Sequence, residues 1–178
     1  MRNAFTLIEL IIVIVLLGIL SAVAMPKYFD LTTDAHRSSA KAAQSALSVG
    51  IDLMHSKYLI SKDKQGIGVA PSTGTWTDDY PVPGDADDCL ILWQAAMSSN
   101  TTEPADGSNA AILAEGGPDF YYVYDSSLGC TYHYTGTLAV GDAISTGTFS
   151  VVYKDSGKVT FNDASTAEEN AGDEATPE

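Results

Sequence analysis

The sequence contains few basic residues. Nine Lys and Arg stand against 23 Asp and Glu among 178 residues, so the formal net charge is −14 at pH 7. Binding of nucleic acids requires clustered Lys and Arg that neutralise phosphates. This charge balance argues against direct nucleic-acid binding by the bulk of the surface, and we expect no nucleic-acid partner. The length allows one domain with a core of its own.

Cysteine is also scarce, with only Cys89 and Cys130 in the chain. An even number of cysteines favours a disulfide when a protein is exported into an oxidising compartment. The alternative is that both residues are small buried hydrophobes with free thiols.

Signatures of catalysis and of cofactor binding are missing. The sequence has no Gly-rich phosphate loop and no Gly-x-Ser-x-Gly motif. The three histidines, His36, His55 and His133, lie on different predicted elements or far apart on one helix, so they do not form a metal pair. The acidic run Asp85 to Asp88 suits a calcium ion less well than the start of a helix. We therefore predict no enzyme activity, no cofactor and no metal.

Charged residues are absent from Leu10 to Pro26, and extending this stretch back to Phe5 adds only Glu9. As a helix, residues 5–25 are about 32 Å long, which matches the hydrocarbon core of a bilayer. An ordinary secretory signal is the alternative, with a cleavage-like site at Ser21 to Ala24. The length of the apolar run, the short segment before it and the carboxylate inside it argue against that alternative.

Glu9 is the most informative residue of this segment. A carboxylate near the start of a membrane helix is costly and usually functional. A cut between Ala4 and Phe5 would create an α-amine four residues before Glu9. This amine is a cation suited to the carboxylate, in the same chain or in a neighbouring one.

The stretch from Phe5 to Leu10, Phe-Thr-Leu-Ile-Glu-Leu, resembles the processing motif of the type IV prepilins, and an apolar run follows it as in that family. Gly18 and Pro26 fall where many type IV pilins have a helix-weakening Gly and a Pro. The chain departs from the family in its very short leader, Met1 to Ala4, and in having Ala where Gly is usual before the cut.

This resemblance implies a life cycle for the chain. A prepilin peptidase removes the leader, residues 1–4, by cutting after Ala4 and methylates the Phe5 amine. Residues 5–26 are held in the inner membrane and then form the filament core, where Glu9 pairs with the Phe5 amine and the helix loosens around Gly18 and Pro26. The partners are copies of the chain itself, the peptidase and the pilus assembly platform with its ATPase. The final location is the extracellular pilus.

The function implied is that of a structural subunit of a type IV pilus used for surface attachment. A pseudopilin of a type II secretion system is the alternative, because it shares the same N-terminal chemistry. A membrane-anchored binding domain that never polymerises is a third hypothesis, but a plain anchor needs no Glu9. Within the family the chain most resembles the mannose-sensitive haemagglutinin pilins, through residues 26–31, 34–38, 121–124 and 130–132.

The remaining sequence predicts an α+β head, residues 27–162, in which the second half of a long N-terminal helix packs on an antiparallel sheet. Apolar residues recur near a period of 3.6 from Asp30 to Ile60, and the main stripe comprises Leu31, Ala35, Ala42, Ala46, Val49, Leu53 and Ile60, widened by Ala43, Leu47, Met54 and Tyr58.

The strands of the head are expected after a loop-rich stretch and a short helix at Cys89 to Met97, for which a buried strand is the alternative. The predicted strands are residues 119–125, 130–135, 148–153 and 158–161. Residues 163–178 contain six acids and no bases. We predict a disordered acidic tail there, because such a segment cannot bury enough apolar surface to order itself. The resemblance also implies that a disulfide cross-links the head.

Overall fold

The computed structural model of the chain describes residues 6–61, 75–97, 103–107 and 112–164. It divides into two compact units, Met1–Arg37 and Ser38–Glu178. The leader, Phe5 and the tail beyond Ala164 lie outside the described residues, so the predictions for them stay predictions.

Helix α1 runs from Leu7 to Ser61 as one helix of 55 residues. The isolated subunit is helical through Gly18 and Pro26, without the break that was expected there, and a kink at this stretch stays a prediction. Pro26 removes a single N–H donor and Gly18 weakens a helix by about 1 kcal/mol. The backbone hydrogen bonds on both sides are enough to continue a long helix, because propagation adds one bond per residue. Loosening of this segment in a filament stays a prediction.

The face of α1 that packs into the head is not the main stripe predicted from the sequence. Leu47, Ile51 and Met54 are buried in the core, whereas Val49 and Ile60 of the predicted stripe are 59% and 87% exposed. The second half of α1 carries two apolar stripes at helical spacing on opposite sides. Periodicity detects both stripes but does not show which one contacts the sheet.

The head contains a five-stranded sheet in the order β3-β4-β5-β6-β7. The strands are β3 (Ala105–Asp106), β4 (Phe120–Asp125), β5 (Gly129–Tyr134), β6 (Phe149–Tyr153) and β7 (Val159–Asp163). The short edge strand β3 is parallel to β4, and the other neighbours are antiparallel. The α+β class is confirmed. The four predicted strands are present, with ends shifted by one or two residues.

The core of the head lies between the inner face of this sheet and the helices. The Tyr132 hydroxyl donates to the Cys89 carbonyl oxygen at 2.7 Å, and the rings of Tyr132 and Trp93 lie 4.8 Å apart. Alternate residues such as His133 point to the outer face, because side chains alternate along a strand. Part of that outer face is covered by a smaller cluster of Leu113, Tyr121 and Ile144.

Helix α2 (Ala86–Ala96) begins with a pair of acidic caps. The Asp85 carboxylate accepts from the Asp88 amide at 2.9 Å, and the Asp88 carboxylate accepts from the Gly84 amide at 2.8 Å. The first bond satisfies an amide that the first turn of a helix leaves unpaired, and the second ties the residue before the N-cap to that turn. The helix, not the alternative strand, is confirmed. These bonds also give the acidic run a structural role that requires no cation.

A hairpin of β1 (Thr75–Thr77) and β2 (Tyr80–Val82) occupies part of the stretch predicted as loop. Its two turn residues, Asp78 and Asp79, have φ values of 50° and 64°, as a tight two-residue turn requires. Tyr80 stacks on His55 of α1 at 4.1 Å. The hairpin therefore closes over the last turns of α1.

Candidate functional site

The large apolar side chains of residues 7–25 in α1 lie on all sides of the helix, and none of them is buried by the described residues. From Leu7 to Met25 even the least exposed large apolar side chain, Ile11, is 45% exposed. These 19 residues are long and apolar enough to cross a membrane. A helix that is hydrophobic all round must be buried by lipid or by other helices. The segment is therefore the candidate site of intermolecular contact.

The start of this helix is closed by a reciprocal cap between Thr6 and Glu9. The Thr6 amide and the Thr6 hydroxyl both donate to the Glu9 carboxylate at 2.9 Å. The Glu9 amide in turn lies 3.4 Å from the Thr6 hydroxyl oxygen and 3.2 Å from the Thr6 carbonyl oxygen. This is a capping box, in which N-cap and N3 residues satisfy each other's amides.

The cap assigns Glu9 a partner that sequence reasoning missed. The prediction placed this carboxylate near a helix N-terminus or beside a cation, and the partner that it named was the Phe5 amine. The spacing of Thr6 and Glu9, a Thr followed three residues later by Glu before an apolar run, is a helix-start signature that could have revealed it. A capped carboxylate is less costly to hold at the edge of a membrane, because its charge is already solvated by donors of its own helix.

Ser21 is polar within the apolar segment, and its hydroxyl is also satisfied locally. It donates to the Leu17 carbonyl oxygen at 2.7 Å. Such a bond to the preceding turn competes with the backbone ladder and often bends helices. It lies inside the Gly18 to Pro26 stretch, where the predicted loosening would occur.

The two cysteines lie in the head, well separated from this segment in sequence. Cys89 in the first turn of α2 and Cys130 in β5 form a disulfide with Cα atoms 5.5 Å apart. Neither residue is exposed to solvent. The bond fixes α2 to the middle of the sheet, which agrees with the predicted pairing.

Comparison with known proteins gives this arrangement a family. The prokaryotic N-terminal methylation motif matches residues 1–25. The type IV major pilin protein PilE of Neisseria gonorrhoeae is 40% identical over 119 residues, which cover 65% of this chain and 68% of that pilin. The chain belongs to the type IV pilins.

Other relatives of this pilin are also pilus proteins. The type IV narrow pilus major component PilA5 of Thermus thermophilus is 38% identical over 80 residues, which cover 42% of the pilin and 69% of that relative. A fimbrial protein of Moraxella nonliquefaciens is 32% identical over 125 residues, covering 64% and 79% of the two chains. No solved structure matches significantly.

These relatives establish the pilin as a structural subunit of a type IV pilus. The relatives are structural pilins, not enzymes, and they give no support to the alternative of a secretion pseudopilin. The resemblance to the mannose-sensitive haemagglutinin subfamily stays a prediction. So do the roles expected of Ala4, Phe5, Glu9, Gly18 and Pro26 in processing and assembly.

Proposed function

We propose that the pilin is cut between Ala4 and Phe5 by a prepilin peptidase and polymerises through the exposed apolar segment of α1. The leader is residues 1–4, the filament-core segment is residues 5–26, the head is residues 27–162 and the acidic tail is residues 163–178. The observation that carries the proposal is that no residue from Leu7 to Met25 is buried within the subunit. Before assembly the inner membrane covers this segment, and afterwards copies of the same helix cover it.

In this proposal Glu9 changes partner during assembly. In the isolated subunit its carboxylate is held by Thr6. Inside a bundle of apolar helices, where water is excluded, a carboxylate without a cation costs several kcal/mol. The cut places an α-amine at Phe5, and the amine of an adjacent subunit is the cation that neutralises Glu9. The pair fixes the axial register, since an incoming subunit is neutralised at one offset only.

The helix around Gly18 and Pro26 is proposed to loosen once the subunit is packed in the filament. Three features support this proposal. Gly18 has low helix propensity, Pro26 donates no hydrogen bond, and the Ser21 hydroxyl already occupies the Leu17 carbonyl. Loosening here lets the helix adapt to neighbours that the isolated subunit does not have.

The assembly platform, its ATPase and the peptidase are the partners proposed for these steps, and the extracellular pilus is the proposed final location. Mass spectrometry of the subunit from sheared surface filaments tests the processing step. We expect an N-terminus at Phe5 that carries one methyl group. A mature chain beginning after Ala24 would show an ordinary signal peptide and contradict the proposal.

A further inference from the structure

The apolar segment of α1 is followed directly by two residues of different chemistry. Met25 is the last residue of the membrane-length stretch, and Lys27 and Tyr28 follow it on the same helix. Lys27 is exposed, and Tyr28 is 68% exposed. An amine and a phenol therefore stand beside the end of a segment that lipid is proposed to cover.

The length of the segment places this pair at the boundary of a bilayer. Leu7 to Met25 spans 19 residues, which is about 28 Å of helix and close to the roughly 30 Å of a hydrocarbon core. When the segment is centred in that core, Lys27 and Tyr28 lie about 2–4 Å beyond its edge, at the depth of the lipid headgroups. The Thr6–Glu9 cap occupies the corresponding position at the other end.

The chemistry of the two side chains fits that depth. Tyrosine is enriched at membrane–water interfaces, because its ring is apolar and its hydroxyl forms hydrogen bonds. A lysine keeps its ammonium in the headgroup layer while its methylene stem lies along apolar surface. Each Cα–Cβ bond of a helix tilts towards the N-terminus, so the bonds of Lys27 and Tyr28 tilt towards Met25 and hence towards the bilayer.

The charge of the chain identifies the lipid group that this pair contacts. A protein with a net charge of −14 is repelled by an anionic membrane surface. Lys27 is the first basic residue after the apolar segment, and the next one, Arg37, forms a salt bridge with Asp34. Lys27 is therefore the first cation that α1 offers to this side of the membrane, and the phosphate of a phospholipid is its anionic partner.

We propose that Lys27 and Tyr28 form an interfacial anchor, in which the Lys27 ammonium binds lipid phosphate and the Tyr28 ring lies among the headgroups. This inference rests on the proposed function, because it requires the segment to lie in a membrane before assembly. The anchor sets the depth of the helix, and thereby the height at which the Thr6–Glu9 cap emerges on the opposite side. A subunit that joins the filament exchanges these lipid contacts for contacts with other copies.

Depth-dependent fluorescence quenching tests the anchor on the full-length pilin in vesicles of phosphatidylethanolamine and phosphatidylglycerol. Tyr28→Trp introduces a reporter that keeps the interfacial preference of an aromatic side chain, and Leu16→Trp, in the middle of the segment, is the matched control. The signal of Trp76 and Trp93, measured on the wild-type chain, is subtracted. Lipids brominated near the headgroup should quench Tyr28→Trp about twofold more than lipids brominated near the acyl-chain end, and the order should reverse for Leu16→Trp.

The control separates failure of the anchor from failure of the proposed function. If deep bromines quench Leu16→Trp, then a Tyr28→Trp reporter that is unquenched, or that is quenched no more by shallow than by deep bromines, would overturn the anchor. A Leu16→Trp reporter that no lipid quenches would instead contradict the proposed function, because the segment would then lie outside the bilayer.

A charge reversal tests the phosphate contact separately. Lys27→Glu, added to Tyr28→Trp, should lower the quenching by shallow bromines about twofold, because repulsion between the new carboxylate and phosphate moves this end of the segment away from the lipid. Lys57→Glu, which reverses an exposed lysine near the end of α1, is the matched control and should leave the quenching unchanged. No effect of Lys27→Glu, or equal effects of the two reversals, would overturn the contact between Lys27 and lipid.

Discussion

The two halves of α1 show how one helix serves two kinds of burial. Leu17 in the first half is 57% exposed, whereas Leu47 in the second half is fully buried against the head. Both residues are apolar and both lie in the same continuous helix. The difference is therefore not in the helix but in what the rest of the chain provides to cover it. The head completes its core within one subunit, and the first half of α1 leaves its burial to lipid or to other subunits.

Removal of the disulfide should give the largest effect on the head. Cys89→Ser or Cys130→Ser opens a loop with a sequence separation of 41 residues, and we expect the free energy of unfolding to fall by about 2–5 kcal/mol. Denaturant unfolding of the full chain in detergent, followed by the fluorescence of Trp93, measures this loss. Membrane insertion should not change, because the disulfide lies entirely in the head. Unaltered unfolding would show that the bond does not stabilise the head.

Alanine substitutions at two glycines of α1 should have a smaller effect on stability, and they compare the two halves of the helix directly. A Cβ at Gly50 would lie 2.2 Å from the Ala96 carbonyl oxygen, whereas a Cβ at Gly18 would meet nothing within 4 Å. Gly50→Ala should therefore destabilise the head by about 1–3 kcal/mol, because α1 and α2 must move apart. Gly18→Ala should leave head stability unchanged and favour the helix locally.

Denaturant unfolding followed by Trp93 fluorescence measures the stability of both variants. Each variant serves as the control for the other. Equal effects of Gly50→Ala and Gly18→Ala would contradict the division of α1 into a part packed in the head and an exposed apolar segment.

The sequence was sufficient to predict the apolar segment, the long helix, the strands and the cysteine pairing. Each of these features has a strong local or compositional signal. The sequence was insufficient for the buried face of α1, since two apolar stripes share one periodicity. Leu47 and Val49 are both apolar, and only the position of the sheet makes one buried and the other exposed.

The β1–β2 hairpin and the course of α1 at Pro26 differ from the sequence-based expectation for two separate reasons. The β1–β2 hairpin was missed because Pro81 is unusual in a strand and the turn uses Asp78 and Asp79 in place of a glycine. The break at Pro26 was predicted from a single lost hydrogen bond, and the continuity of the surrounding helix outweighs that loss in the isolated subunit.

The cap at the start of α1 was also missed, although its signal is local. Thr6 and Glu9 have the spacing of a capping box, and the Thr6 side chain is the partner that the prediction did not name. The structure shows a hydrogen-bonding role of this carboxylate in the subunit, and the electrostatic role in the filament is our proposal.

Glu9→Gln separates these roles, because Gln also forms capping boxes but carries no charge. Its counterpart is Thr6→Ala, which keeps the charge and weakens the cap by about 1 kcal/mol. Both variants should insert in the membrane and fold their heads. The decisive measurement is the amount of pilin in sheared filaments, relative to pilin in the membrane, in cells that make only the variant.

The account predicts that Glu9→Gln reduces this ratio at least about tenfold, since the Phe5 amine of the adjacent subunit then lacks its partner, while Thr6→Ala retains most of the filaments. Normal filament assembly by Glu9→Gln would contradict the proposed ion pair and leave Glu9 with its role as a cap alone.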